Sequence, residues 1–164
     1  MVRCKPIDAD LAQSLYATES DPDGNAYADD VELLLTTLHR AGIRVAIVSD
    51  IHFDIRPSFA ARGWIDLVDA WVLSFEVGAA KPDPTVFAAA LSALDVDASV
   101  TLMVGDRAGF DGAAEQLGIT TLLLPPLREP GDCRLHRVLD LAIPGWRRSP
   151  ANRTDDSPLR PAKL

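Results

Sequence analysis

The sequence predicts a three-layer α/β fold built on a parallel sheet. Short apolar runs rich in β-branched residues recur along the chain with helical patterns between them, and polar residues stand directly after three of those runs. Runs of that kind suit strands buried on both faces, and strands alternating with helices define the class.

The elements follow in order. Residues 8–19 read as a short helix, with Leu11, Leu15 and Tyr16 on one face and Asp8 as its cap after Pro6. The polar stretch Ser20-Asp21-Pro22-Asp23-Gly24-Asn25 ends it as a turn. A second helix is expected from near Ala28, presenting Val31, Leu34, Leu35 and Leu38 before the stop signal Gly42. The first strand is Val45-Ala46-Ile47-Val48, and a helix over 56–62 stops at Gly63. Ala70-Trp71-Val72-Leu73 is the second strand, and Pro84 opens a helix that runs to Leu94. Thr101-Leu102-Met103-Val104 is the third strand, followed by a helix from about Asp111 to Leu117 that Gly118 closes. Residues 120–124 form the fourth strand and 133–141 the last helix.

Composition sets limits on function. With 164 residues, 48% of them hydrophobic and 24% charged, the chain is long enough for one core and too apolar to be disordered throughout. It contains no run of about 20 apolar residues, and residues 1–6 lack the apolar segment of a secretion signal, so a cytoplasmic location away from membranes is expected. Cys4 and Cys133 are too isolated to suggest a zinc site or a disulfide. The net charge of −8 divides unevenly, because residues 147–164 carry five Arg/Lys against two Asp and leave −11 on the remainder. An acidic body argues against nucleic acid as a partner, and the Pro-rich basic tail is expected to be disordered.

In a parallel α/β fold the ligand crevice lies at the C-terminal ends of the strands. Three such ends carry polar residues: Ser49-Asp50, the stretch from Ser74 to Lys81, and Gly105-Asp106. Lys81 stands between Gly78-Ala79-Ala80 and Pro82-Asp83-Pro84, with no charged neighbour before Asp83. Asp106 and Asp111 are two carboxylates at and just after a strand end; Mg²⁺ is a hard cation that takes oxygen ligands and keeps several waters, so one or two carboxylates there, supplemented by substrate phosphate, suit it.

This order of residues resembles the haloacid dehalogenase (HAD) superfamily of hydrolases over roughly residues 27–142. Val45-Ala46-Ile47-Val48-Ser49 is similar to the family's second motif, Gly78 to Pro84 to the third, and Gly105-Asp106-Arg107-Ala108-Gly109-Phe110-Asp111 to the fourth. The resemblance implies a Rossmann-like α/β/α core and a Mg²⁺-dependent phosphatase of a small phosphate ester. Ser49 and Lys81 would be the catalytic residues. Ser49, Asp50 and Lys81 would bind phosphate, and Asp106 and Asp111 would hold the metal.

The family's first motif, an apolar strand ending in Asp-x-Asp, has no clear counterpart. Asp21 and Asp23 offer the right residue types for nucleophile and acid/base, but the residues before them continue a helix and a polar turn is the better reading. Residues 1–26 would then be the remnant of a cap domain, 27–146 the core and 147–164 the tail. A sheet without its central strand leaves two unpaired edges. The chain would close the gap, recruit its N-terminal segment, form a homodimer through the open edge, or be marginally stable. The alternative function is a non-catalytic module that binds a partner or self-associates through that edge.

Overall fold

The computed structural model describes residues 8–129 and 131–146. Helix α1 (Ala9–Glu19) begins where the Asp8 carboxylate accepts the Asp10 amide at 2.9 Å. None of its residues is buried: Leu11 and Leu15 are more than half exposed and Tyr16 nearly so. The apolar face read from the sequence is present, but no element covers it among the described residues. Asp21-Pro22-Asp23-Gly24 forms a 3-10 turn, as the polar residues predict.

Helix α2 (Val31–Arg40) starts three residues later than its apolar spacing suggests. Asp30 precedes it, but the Asp30 carboxylate makes no cap bond to α2. It accepts the Leu135 and His136 amides at 2.6 and 3.0 Å and so caps the distant helix α7 (His136–Ala142). The first turn expected of the last helix, from Cys133, is therefore absent. Its start is fixed by a carboxylate that lies far away in sequence.

Strands β1 (Ala46–Ser49) and β2 (Ala70–Leu73) pair in parallel, with Ser49 opposite Leu73. Helix α3 (Arg56–Ala61) lies between them in sequence. The short helix α4 (Ser74–Val77) leaves β2 and is followed by α5 (Pro84–Leu94). Strands β3 (Leu102–Gly105) and β4 (Thr120–Leu123) form a second parallel pair. Helix α6 (Ala108–Asp111) gives way to a 3-10 turn over Gly112–Leu117, where one α-helix over 111–117 was expected. Gly112 is a poor helix former, and the Asp111 side chain is turned back toward the strand end, which together account for the tighter coil.

The four strands thus form two two-stranded sheets with no hydrogen-bonded ladder between the pairs. Among the described residues β1 and β3 each have one strand partner. All eight of their residues are only half-buried, although both runs read as doubly buried strands. The reason is that an edge strand keeps one side open to water. Helix α5 spans the division, packing on β1 and β2 and on the 112–117 turn. The architecture is the Rossmann-like α/β fold with its strands parallel and its helices on the faces.

Two apolar clusters hold the halves. Leu35, Phe59, Trp64 and Val68 are buried beside β1 and β2, and Phe87, Ala114 and Ile119 beside β3 and β4. Each large side chain buried in this way contributes about 1.5–3 kcal/mol. The Arg62 guanidinium ties residues 22–25 to α3, donating to the Pro22 carbonyl at 3.1 Å and to the Ser58 hydroxyl at 2.9 Å, while lying 4.7 Å over the Tyr27 ring. The expected tail, residues 147–164, and Cys4 lie outside the described residues; Cys133 is exposed and unbridged.

Candidate active site at the strand ends

The chain around Lys81 is fixed on both sides. Gly78 ends α4 with φ of 74°, a left-handed conformation that suits glycine. Asp83 caps α5, its carboxylate accepting the Thr85 amide at 2.9 Å. The Lys81–Pro82 peptide is cis. Between these two anchors the Lys81 amide donates to the Asp50 carboxylate at 2.8 Å, which joins the loop after β2 to the end of β1. Ser74 makes a second tie. Its hydroxyl accepts the Ile51 amide and donates to the Ile51 carbonyl, both at 2.8 Å.

The Lys81 ammonium reaches across to the other half and meets the Asp111 carboxylate at 2.7 Å. This pair is well shielded, with the side chains 13% and 4% exposed. Asp111 Oδ2 accepts the Asp106 and Arg107 amides at 3.0 and 2.9 Å, so both of its oxygens are engaged. Burial pushes the Asp111 carboxyl up, but the Lys81 ammonium and the two amides outweigh it and hold the group below the usual carboxylate range. Gly105 is required here by contact: a Cβ at that position would overlap the Asp111 carboxylate.

Asp106 is placed differently. Its carboxylate is partly exposed and has the Arg134 guanidinium 3.9 Å away. Among the described residues no three His, Cys, Asp or Glu side chains converge as a metal cage. The donor set still fits a hard cation in its chemistry, with Asp106 as the carboxylate that retains free oxygen capacity and Asp111 close behind it. The remaining ligands would be water and phosphate oxygens.

Ser49 ends β1, half-buried, and its hydroxyl has no hydrogen-bond partner among the described residues. Next to it an open depression of about 500 Å³ lies between the loops after β1 and β2, lined by Asp50, His52, Ser74 and Phe75 among others. His52 Nε2 lies 2.5 Å from a Glu19 oxygen and so links the end of α1 to this rim.

The structure therefore brings Asp50, Lys81, Asp106 and Asp111 into one connected set, through Asp50–Lys81, Lys81–Asp111 and Asp111–Asp106 bonds. Asp21 and Asp23 are not part of it. Asp21 accepts the Asp23 amide at 3.0 Å within the exposed turn that Arg62 and Ser58 hold against α3. Sequence reasoning missed Arg134 altogether, since it sits in a loop after β4 with no motif around it. Ser74 stood in a stretch marked as polar, but nothing local signalled that it would bind both backbone groups of Ile51.

Comparison with known proteins fits this geometry. Residues 7–117 match the family model of the haloacid dehalogenase-like hydrolases. That match covers more than half of the chain, and the chain belongs to that family. It is 33% identical over 113 residues to ribulose-1,5-bisphosphate 5-phosphatase of Halopiger xanaduensis, covering 64% of this chain and 47% of that protein. The plasmid phosphoglycolate phosphatase of Cupriavidus necator is 34% identical over 57% of this chain and 41% of its own length. The chain thus spans less than half the length of these curated relatives. Among solved structures, a HAD phosphatase from Thermococcus onnurineus superposes with a TM-score of 0.61 at 25% identity, over 70% of this chain and 54% of that one.

Proposed function

We propose that this chain carries the phosphate-binding and cation-binding part of a Mg²⁺-dependent phosphatase acting on a small phosphate ester. The observation that carries the reading is the shielded Lys81–Asp111 pair, which sets an ammonium group at the junction of both sheet halves with Asp106 beside it. The names of the similar phosphatases support the substrate class.

In this reading Lys81 neutralises charge on the phosphoryl group, and the Ser49 hydroxyl, without a partner among the described residues, donates to one of its oxygens. Asp50 holds the Lys81 loop through its carboxylate, which leaves its backbone amide for the phosphoryl group. Asp106 would hold Mg²⁺, and Asp111 positions Lys81 and the strand-end amides. The metal, when bound, would screen the phosphoryl charge and orient the leaving oxygen. A nucleophilic carboxylate would enter on an extended segment beside β1 and β3, because Asp21 and Asp23 lie in a turn outside the connected set.

Thermal shift of the 164-residue chain with inorganic phosphate and Mg²⁺ tests the binding roles. Lys81→Ala is expected to remove the phosphate-dependent shift and Asp106→Asn the Mg²⁺-dependent one. Shifts that survive in both variants would end the reading. Asp21→Asn and Asp23→Asn are expected to leave any hydrolysis of 4-nitrophenyl phosphate unchanged, and loss of turnover in either would place the nucleophile in the turn.

One observation favours a second reading, a non-catalytic module. Among the described residues no strand precedes β1, and β1 and β3 each have an unpaired edge. Such edges favour pairing with another chain, including a second copy of this one. Sedimentation equilibrium would detect a homodimer, and a monomer without phosphatase activity but with a Mg²⁺-dependent shift would point to a retained site lacking its nucleophile.

A further inference from the structure

The loop between β4 and α7 delivers one side chain to the strand ends. It is fixed near its start, where the Leu124 amide extends the ladder to the Gly105 carbonyl at 2.8 Å. It is fixed near its end, where Asp30 accepts the Leu135 and His136 amides. Between these points the Asp132 carboxylate accepts the Arg128 and Glu129 amides, and the Asp132 carbonyl accepts the Asp29 amide. Arg134 stands inside this braced segment with its side chain 25% exposed. Its guanidinium donates to the Pro125 carbonyl, its Nε is buried without a partner among the described residues, and its Nη1 lies 3.9 Å from Asp106 Oδ2.

Asp111 and Asp106 therefore each face a protein cation, but the two pairs differ in kind. Lys81–Asp111 is a direct bond at 2.7 Å between shielded groups, whereas Arg134–Asp106 is longer than a hydrogen bond and partly wet. The first is a fixed strut. The second is a contact that can be exchanged at small cost.

Resting on the assignment of Asp106 as the cation-binding carboxylate, we propose that Arg134 is a built-in competitor for that cation. It neutralises Asp106 when no metal is present and opposes a divalent ion placed there, so it sets the affinity of the site. The physical basis is Coulombic. A divalent ion on Asp106 stands a few ångströms from a permanent guanidinium charge, in a site where screening by water is incomplete. The Pro125 carbonyl keeps the guanidinium at that distance and stops it from swinging freely into solvent. No neighbouring motif predicts this role, because the pairing exists only through the loop's return to the end of β3.

The test uses the full chain and reads Mg²⁺ binding by calorimetry and by Mg²⁺-dependent melting at low ionic strength. Arg134→Gln is expected to tighten Mg²⁺ binding about tenfold. Arg134→Lys, which keeps the charge, is expected to bind as the unaltered chain does, and Asp106→Asn to bind none. Added salt should narrow the difference between Arg134→Gln and the unaltered chain. If Asp106→Asn abolishes binding while Arg134→Gln binds no more tightly than the unaltered chain, the competitor role is overturned and the cation site stands. If binding survives Asp106→Asn, or neither the unaltered chain nor Arg134→Gln binds Mg²⁺, the cation site falls and the competitor role falls with it. Should Arg134→Gln lose its native circular dichroism, Arg134→Lys and Arg134→Met decide between charge and packing: tighter binding in Arg134→Met alone supports the role, and equal binding in both overturns it.

Discussion

The two halves of the sheet are stabilised by different means. Beside β1 and β2 the core is aromatic, with Phe59 edge-on to Tyr27, Trp64 and Trp71 at centroid distances of 5.6, 5.9 and 4.9 Å. Phe59 belongs to α3 and Trp71 to β2, and none of these rings hydrogen-bonds to the strand-end polar groups among the described residues. Beside β3 and β4 a single ring, Phe87, is buried among small and aliphatic side chains and the packing is close: Ala114 is fully buried, Gly105 admits the Asp111 side chain, and Asp111 holds the turn into α6. In the first half bulk is separate from the site. In the second the candidate site is also the packing, so substitutions there should alter stability and ligand response together.

Asp111→Ala should separate the halves most sharply. It leaves the Lys81 ammonium and two strand-end amides without their acceptor, and removing one partner of a shielded pair costs about 3–5 kcal/mol. Urea denaturation should show this as a large fall in midpoint. The same carboxylate gives a pH signature. Its folded pKa is depressed, so its contribution is fully present above the unfolded value of about 3.9 and is lost as pH falls through the lower folded value. Melting curves of Asp111→Asn between pH 6 and pH 3, about the window where ordinary carboxylates titrate, should therefore be flatter than those of the unaltered chain. Equal slopes would show that Asp111 is not held ionised by Lys81.

Gly105→Ala should come next, at about 1–3 kcal/mol, because the added methyl displaces the Asp111 carboxylate. Its Mg²⁺- and phosphate-dependent melting shifts should fall as well. A destabilised variant with undiminished shifts would mean that packing and site are separable in this half.

Ser74→Ala should cost about 1 kcal/mol, since the loop is partly exposed and water can replace the two bonds to Ile51. Its effect should appear in phosphate binding more than in stability, through looser coupling of the β1 and β2 loops. The smallest effect is expected for Leu15→Ser on α1, within about 0.5 kcal/mol, because that side chain is 53% exposed. A loss of more than 1 kcal/mol, about twice that bound, would show that α1 is covered in solution.

Much of the site was legible because its motifs are local. Lys81 between Gly78-Ala79-Ala80 and Pro82-Asp83-Pro84, and Asp106 and Asp111 five positions apart, each advertise their chemistry within a few residues. What differs between Asp106 and Asp111 was not legible. Both were read as metal ligands, but only the folded chain shows that Asp111 spends both oxygens on Lys81 and two amides while Asp106 keeps a partly open carboxylate.

By itself the sequence determined the order of strands and helices, the turn at Asp21–Asp23 and the family resemblance. These depend on periodicity, caps and breakers, interactions that act over a few residues. The tertiary structure alone decided that Asp30 would cap α7 instead of α2, that the sheet would divide into two pairs, and that Arg134 would face Asp106. Each of those depends on which distant groups can satisfy one another once the chain is compact, a competition that no local pattern encodes.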